Sequence, residues 1–207
     1  MKVTIRQATK ADVDQVVHLM FSAGPDAYRY VFSINHADEA LDFLRYAYLK
    51  GLGEFGYQGH SVACIKDNVV GVIGLRTYQD NNAYVLSALK NIIGFYGVRQ
   101  GLKVIWRGLR FERVVKAPKA NRLYIHNVGV CEYHQGEGIG RKLISYAIAQ
   151  AKARDLVAAC LDVAILNKRA KALYLKYGFR TRHVTASALK SEFGRGLSHE
   201  YMELTLL

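Results

Sequence analysis

Val128-Gly129-Val130-Cys131-Glu132-Tyr133-His134-Gln135-Gly136-Glu137-Gly138-Ile139-Gly140-Arg141-Lys142-Leu143 runs from an apolar strand through a glycine-rich turn into a helix. Glycines at such a turn let backbone N–H groups point inward and let a phosphate approach closely. The free amides and the dipole of the helix start then favour an anion. Arg141 and Lys142 sit in the first helical turn, where the dipole alone disfavours cations; beside phosphates they make sense. Two common phosphate motifs fail. The dinucleotide fingerprint starting at Gly136 needs glycine where Arg141 stands, and no P-loop pattern occurs in the chain. Alone, the turn also admits a plainer reading, glycines that let a helix pack tightly on a strand.

The neighbouring blocks narrow the choice. Upstream lies the apolar-small-apolar triplet Val128-Gly129-Val130, and Gln135, Gly138 and Gly140 follow at fixed spacing. Downstream, Asn167 precedes Ala170-Lys171-Ala172-Leu173-Tyr174-Leu175-Lys176-Tyr177-Gly178-Phe179. The three blocks, in this order and spacing, resemble the GCN5-related N-acetyltransferase (GNAT) family over about 123–179. The flanking elements agree in kind but carry no signature. The resemblance implies an α/β fold with a mixed, mostly antiparallel β-sheet flanked by helices. It also implies acetyl-CoA as acetyl donor, an amine acceptor (a small molecule or a peptide or protein amine) and direct attack in a ternary complex.

By position, the resemblance gives the donor's pyrophosphate to Gln135, Gly136, Glu137, Gly138, Ile139, Gly140 and Arg141. Val128, Gly129 and Val130 fall on the strand whose exposed backbone pairs with the pantetheine arm, and Asn167 near that arm or a water. Tyr174 falls where the family often has a general acid toward the departing sulfur. A phenol with an ordinary pKa near 10 is protonated at neutral pH and ready to donate. Without an acyl-enzyme, Cys131 is not the nucleophile. Two residues compete as base. Asp162 lies on the next strand, where members acting on protein N-termini commonly carry glutamate, and it reads equally as a partner for Lys168 or Arg169. His126 has the best intrinsic pKa, but a strand histidine is commonly a core residue. Tyr124 and Asn127 are candidates for ordering a water.

Composition bounds the rest. The chain has 207 residues, 51% of them hydrophobic and 22% charged, which suits one domain over 1–207. Residues 1–20 mix charge with apolar positions, unlike a signal peptide, and no apolar run is long enough to span a bilayer. A cytoplasmic protein without membrane contact is expected, as monomer or homodimer. Cys64, Cys131 and Cys160 are widely spaced within apolar runs and read as reduced core thiols, and no metal-ligand spacing occurs. The net charge is +12, and eight basic residues against Glu112 alone place +7 of it between Val98 and Arg122. Such a concentration attracts phosphates, acidic substrates or nucleic acid, yet it contains no recognised nucleic-acid reading motif. No specific nucleic-acid partner is expected.

Along the chain, Val3–Arg6 alternates like a strand, and Thr9 with Asp12 starts a helix that ends near Gly24-Pro25. A second helix is predicted over 37–50. Strands follow over 60–65 and 69–75, joined by Lys66-Asp67-Asn68. Residues 78–121 form a helical insertion between strands 3 and 4, broken near Gly97, with Val98, Leu102, Ile105 and Leu109 on one face. Beyond it come strand 123–131, helix 138–153, strand 158–164, helix 168–177 and strands 179–184 and 199–206. The acceptor side of the resemblance falls on 23–56, 185–198 and the insertion, which hold many aromatics suited to an apolar or cationic acceptor. The insertion is expected to be a lid or wall there, or a hairpin with its basic side chains in water. Two other functions fit less of the pattern: a non-catalytic acyl-CoA sensor, and a nucleic-acid-associated protein using the basic helix.

Overall fold

The computed structural model describes residues 2–115 and 118–206, so Lys116 of the basic stretch lies outside them. The elements in chain order are β1 (Val3–Gln7), α1 (Val13–Ser22), α2 (Pro25–Phe32), α3 (Glu39–Leu49), β2 (His60–Ile65) and β3 (Asn68–Arg76). Then come α4 (Asn81–Phe111), β4 (Arg122–Val130), α5 (Ile139–Ala153), β5 (Ala158–Ala164), α6 (Lys168–Lys176) and β6 (Arg180–Thr185). A short hairpin, β7 (Leu189–Lys190) and β8 (Arg195–Gly196), precedes β9 (His199–Thr205). The main sheet has the order β1-β2-β3-β4-β5-β9-β6. Its β4–β5 pair is parallel, joined by the crossover through α5, and its other pairs are antiparallel. This is the mixed, mostly antiparallel sheet flanked by helices that the motifs imply.

Alternating strand residues feed two cores, because successive side chains leave opposite faces of a sheet. Ile73, Leu123, Ile125 and Leu161 meet Leu143, Ile144 and Ala147 of α5, with Phe179 closing the end. Val62 and Val72 meet Val16, Val17 and Met20 of α1 and Leu44 and Tyr48 of α3. A third cluster, mostly aromatic, joins α2, α3 and α4 through Tyr30, Phe32, Phe43, Tyr96 and Val104. The start of α1 is fixed as its sequence suggests. The Asp12 carboxylate accepts from Thr9 N at 2.8 Å and Thr9 Oγ1 at 2.9 Å, closing a capping box over the turn Lys10–Asp12.

Three features depart from the sequence expectations. Gly24-Pro25, read as a stop, also starts α2, with Pro25 at the first position, where a missing N–H costs nothing. The hairpin β7–β8 has strands too short to show periodicity. In the insertion, the break at Gly97 is present, with φ 69° and ψ 176°, but the faces differ from expectation. Val98, Leu102 and Leu109 stand exposed, and the buried face of the second half carries Gly101 and Val104. A Cβ at Gly101 would lie 2.8 Å from Ile93 Cδ1, so that glycine lets the two halves of α4 close on each other. Of the four residues expected on the apolar face, Ile105 alone packs inward with Val104 against the aromatic cluster, and Gly101 completes that face.

Candidate active site

The site begins where β4 leaves β5. The two strands pair from Arg122–Ala158 to Ile125–Leu161 and, among the described residues, no further. On the opposite edge β4 stays paired with β3, through Val72–Gly129 and Gly71–Val130. Between those two stretches the register slips by one residue, and Asn127 takes a positive φ of 52°. The bulge bends β4 and frees the β5-side backbone of Val128–Val130. Gly129 is required there, since a Cβ on it would fall 2.1 Å from the carbonyl oxygen of Leu19 in α1.

The glycine turn follows. Gly136 and Gly138 adopt φ of 94° and 83°, conformations that side-chain-bearing residues resist. Nothing lies within 4 Å of where a Gly136 Cβ would be, so the backbone there faces open space. Gly138 caps α5, buried Ile139 anchors its first turn, and Gly140 packs against Leu173 of α6. The early N–H groups of α5 lie beside the exposed Arg141 and Lys142. Gln135 accepts a hydrogen bond from Arg169, and His134 and Glu137 pair at 3.1 Å. Amides, a helix start and three cations fit a diphosphate. Asn167 uses its side-chain oxygen to accept the Ala170 N–H at 3.1 Å, capping α6. That cap is a structural task, which leaves its amide NH2 as the part available to a cofactor.

A cavity of about 440 Å³ lies among α2, α4 and β4, and Tyr124, His126, Asn127 and Asp162 all line it. Tyr124 donates to Asp162 Oδ2 at 2.9 Å. Burial raises the Asp162 pKa to about 6, against the Tyr124 hydrogen bond and the nearby Arg76, which favour the carboxylate. Asp162 therefore engages Tyr124, not Lys168 or Arg169 as its alternative reading held. His126 is 9% exposed, and neither ring nitrogen has a hydrogen-bond partner among the described residues. Burial, helped by His60 and Arg76, pushes its pKa well below the usual histidine value, so the ring is neutral. It lies over Gly74, where a Cβ would come within 2.4 Å of Cε1.

Behind this pair runs a hydrogen-bonded relay. Tyr28 donates to Asn127 Oδ1, Asn127 Nδ2 donates to His60 Nε2 at 3.1 Å, and His60 Nδ1 donates to the Gly56 carbonyl at 2.8 Å. The order is self-consistent for a neutral His60, whose pKa burial lowers to about 4. Arg76 adds a buried cation, 5.0 Å from the Tyr124 ring centroid and 3.4 Å from Glu54. Sequence reasoning missed His60, Arg76 and Glu54, which carry no local motif. His60 and Arg76 showed only as polar residues at the ends of apolar strands, and Glu54, in the loop before β2, showed no signal at all.

Tyr174 sits elsewhere. It is 7% exposed, packs against Phe179 in the core under α5 and α6, and is not part of the cavity wall. Burial raises its pKa to about 12, so it keeps its proton throughout the neutral range. Cys131 is half-buried, and its N–H donates to Val70 O at 2.9 Å.

Several solved structures share this architecture. One acetyltransferase crystal structure superposes with a TM-score of 0.69 and 20% identity, covering 99% of this chain and 100% of its own. An N-acetyltransferase from Staphylococcus aureus Mu50 gives 0.61 at 15% identity, with 100% of both chains covered. A putative acetyltransferase from Salmonella typhimurium, solved with its cofactor acetyl-CoA, gives 0.54 at 19% identity, covering 100% of this chain and 95% of that one. No curated protein sequence matches the chain. The sequence profile of the acetyltransferase (GNAT) family matches residues 26–179, about three-quarters of the length, and the chain belongs to that family.

Proposed function

We propose that the protein transfers the acetyl group of acetyl-CoA to a primary amine by direct attack in a ternary complex. The observation that carries this is the parting of β4 from β5 beyond Ile125–Leu161. The glycine turn follows the end of β4, and residues 124–127 of the same strand line the Asp162 cavity. Acetyl-CoA, when bound, supplies an activated acyl carbon. Arg141, Lys142 and Arg169, with the first amides of α5, would hold its phosphates, and the free edge of Val128–Val130 would pair with its pantetheine arm.

Asp162 is the preferred base. With a pKa of about 6 it is mostly ionised at neutral pH yet more basic than an ordinary aspartate, which suits accepting the amine proton directly or through a water. His126, neutral with a strongly lowered pKa, is a poor base; its free nitrogens serve to position the amine or a water. An amine that arrives as ammonium would first lose one proton to solvent by way of Asp162, and as the N–C bond forms and the C–S bond breaks the second would go to Asp162. Tyr174, at the edge of the core and outside the cavity wall, would offer its hydroxyl hydrogen to the donor's sulfur. Its pKa of about 12 against roughly 8.5 for a thiol makes full proton transfer uphill, so it acts chiefly as a hydrogen-bond donor to the thiolate.

Acetyl-CoA should raise the melting temperature, and thiol release should appear with a primary amine. Asp162→Asn should lower kcat by roughly 10²-fold or more while keeping that thermal shift. A protein that acetyl-CoA fails to stabilise would refute the transfer. Unchanged kcat in Asp162→Asn would remove Asp162 as base, and stabilisation without turnover would favour the sensor.

A further inference from the structure

The cavity's chemistry runs against that of the chain. The protein carries +12 overall, yet among the described residues Glu54, Glu112 and Asp162 line the cavity against one cation, Arg76. Arg76 is already engaged with Glu54 at 3.4 Å. His126 and His199 also line the cavity, both with pKa values lowered by burial, and add no charge at neutral pH. The remaining wall is aromatic and aliphatic. Phe55 meets Tyr28 edge-on at 6.0 Å and Phe32 at 5.5 Å, and the two halves of α4 contribute Leu89, Ile92 and Ile105.

We propose, building on the acetyl transfer above, that the acceptor is a small hydrophobic monoamine. Its single ammonium end lies at Asp162 and the unpartnered nitrogens of His126, and its aromatic or aliphatic body lies against Tyr28, Phe55, Ile92 and Ile105. A cavity of about 440 Å³ is of the size that takes a drug-sized molecule. The acidic end draws a cation out of water, and the wall gains by covering apolar surface. Other amines fit worse for stated reasons. An amino acid brings a carboxylate into a wall already carrying an excess of carboxylates. A peptide end brings amide groups that the aliphatic side would leave unpaired, and a polyamine leaves an inner ammonium against Ile92 and Ile105. The insertion thus sets specificity by its inner face, whatever its basic outer face meets.

Initial rates of thiol release test this, at saturating acetyl-CoA, with ethylamine, butylamine, hexylamine and phenethylamine, and with alanine, a dipeptide and spermidine. The expected result is a kcat/KM that climbs roughly threefold or more per added methylene. Phenethylamine should exceed alanine, the dipeptide and spermidine by at least about tenfold. Ile105→Ser and Leu89→Ser should raise KM for phenethylamine about tenfold, well beyond any change for ethylamine, and leave the acetyl-CoA thermal shift unchanged. A flat alkyl series, a preference for spermidine or the dipeptide, or an unmoved phenethylamine KM in both variants would overturn the assignment while leaving acetyl transfer standing. No turnover of any amine by a protein that acetyl-CoA stabilises would overturn it too. Absence of acetyl-CoA stabilisation would instead strike the transfer itself.

Discussion

At the scale of single residues, the decisive comparison is between two candidate bases that burial treats oppositely. Burial disfavours charge, so it lifts the carboxyl of Asp162 toward neutrality and drives the imidazole of His126 away from it. The histidine with the better intrinsic pKa becomes the worse base. Tyr124 tunes the outcome, because its hydroxyl donates to the carboxylate and so favours the charged form. Removing that bond in Tyr124→Phe should raise the Asp162 pKa above its present value of about 6. The acid limb of kcat/KM against pH should then shift upward, with activity lost at pH 6–7 and largely recovered at pH 8. The acceptor's own ionisation is common to both enzymes, so the difference between their profiles reports Asp162. Coincident profiles would show that another group sets the limb. Asp162 and His126, which share one cavity, stood out in the sequence by their places, the one on the strand before Tyr174 and the other just before the Val128–Val130 triplet. Their environment did not, because Glu54, His60 and Arg76 arrive from a loop, from β2 and from β3, about 50 residues or more before β4.

Elements show the same division between what is written locally and what packing decides. The strand limits 60–65 and 158–164 follow from apolar runs and match the structure to the residue. The break at Gly97 is local too. The burial face of α4 is not, because it depends on Gly101 meeting Ile93 across the hairpin. Likewise α2 hides behind Gly24-Pro25, a signal that serves equally to end one helix and begin another. Two glycines separate conformational from steric demands. Gly97 has open space around its missing Cβ but a backbone near-exclusive to glycine, with φ 69° and ψ 176°. Gly97→Ala should therefore cost about 1–3 kcal/mol in chemical denaturation and, by re-angling the α4 hairpin, raise the acceptor KM without altering acetyl-CoA binding. Gly129 has an ordinary backbone but no room beside Leu19. Gly129→Ala must push α1 away from β4, and should weaken donor binding as well as stability. Equal effects of the two variants on donor and acceptor KM would contradict this assignment of the two ends of the site.

Across the whole molecule, charge is divided in the way the two proposed substrates require. The helix α4 carries Lys90, Arg99, Lys103, Arg107 and Arg110 and no acid over 31 residues, and the donor turn adds Arg141, Lys142 and Arg169. The acceptor cavity is acidic within this basic shell. A polyanionic donor would thus be attracted at long range by the +12 field, whereas an amine would be repelled until it reaches the cavity carboxylates, of which Asp162 is the buried one. Salt should act on the two unequally, because screening shortens the reach of exposed charges to about 8–10 Å at 0.10–0.15 M and leaves buried ones less affected. Raising ionic strength from about 0.05 to 0.5 M should increase the acetyl-CoA KM several-fold and leave the amine KM flat or slightly lower. Arg141→Gln with Lys142→Gln should flatten the donor's salt dependence, because both side chains are exposed at the turn that would meet the phosphates. A donor KM insensitive to salt would place the phosphates away from that turn. An amine KM rising in parallel would mean that the acceptor meets the basic surface first, and the inward acidic cavity would no longer account for its capture.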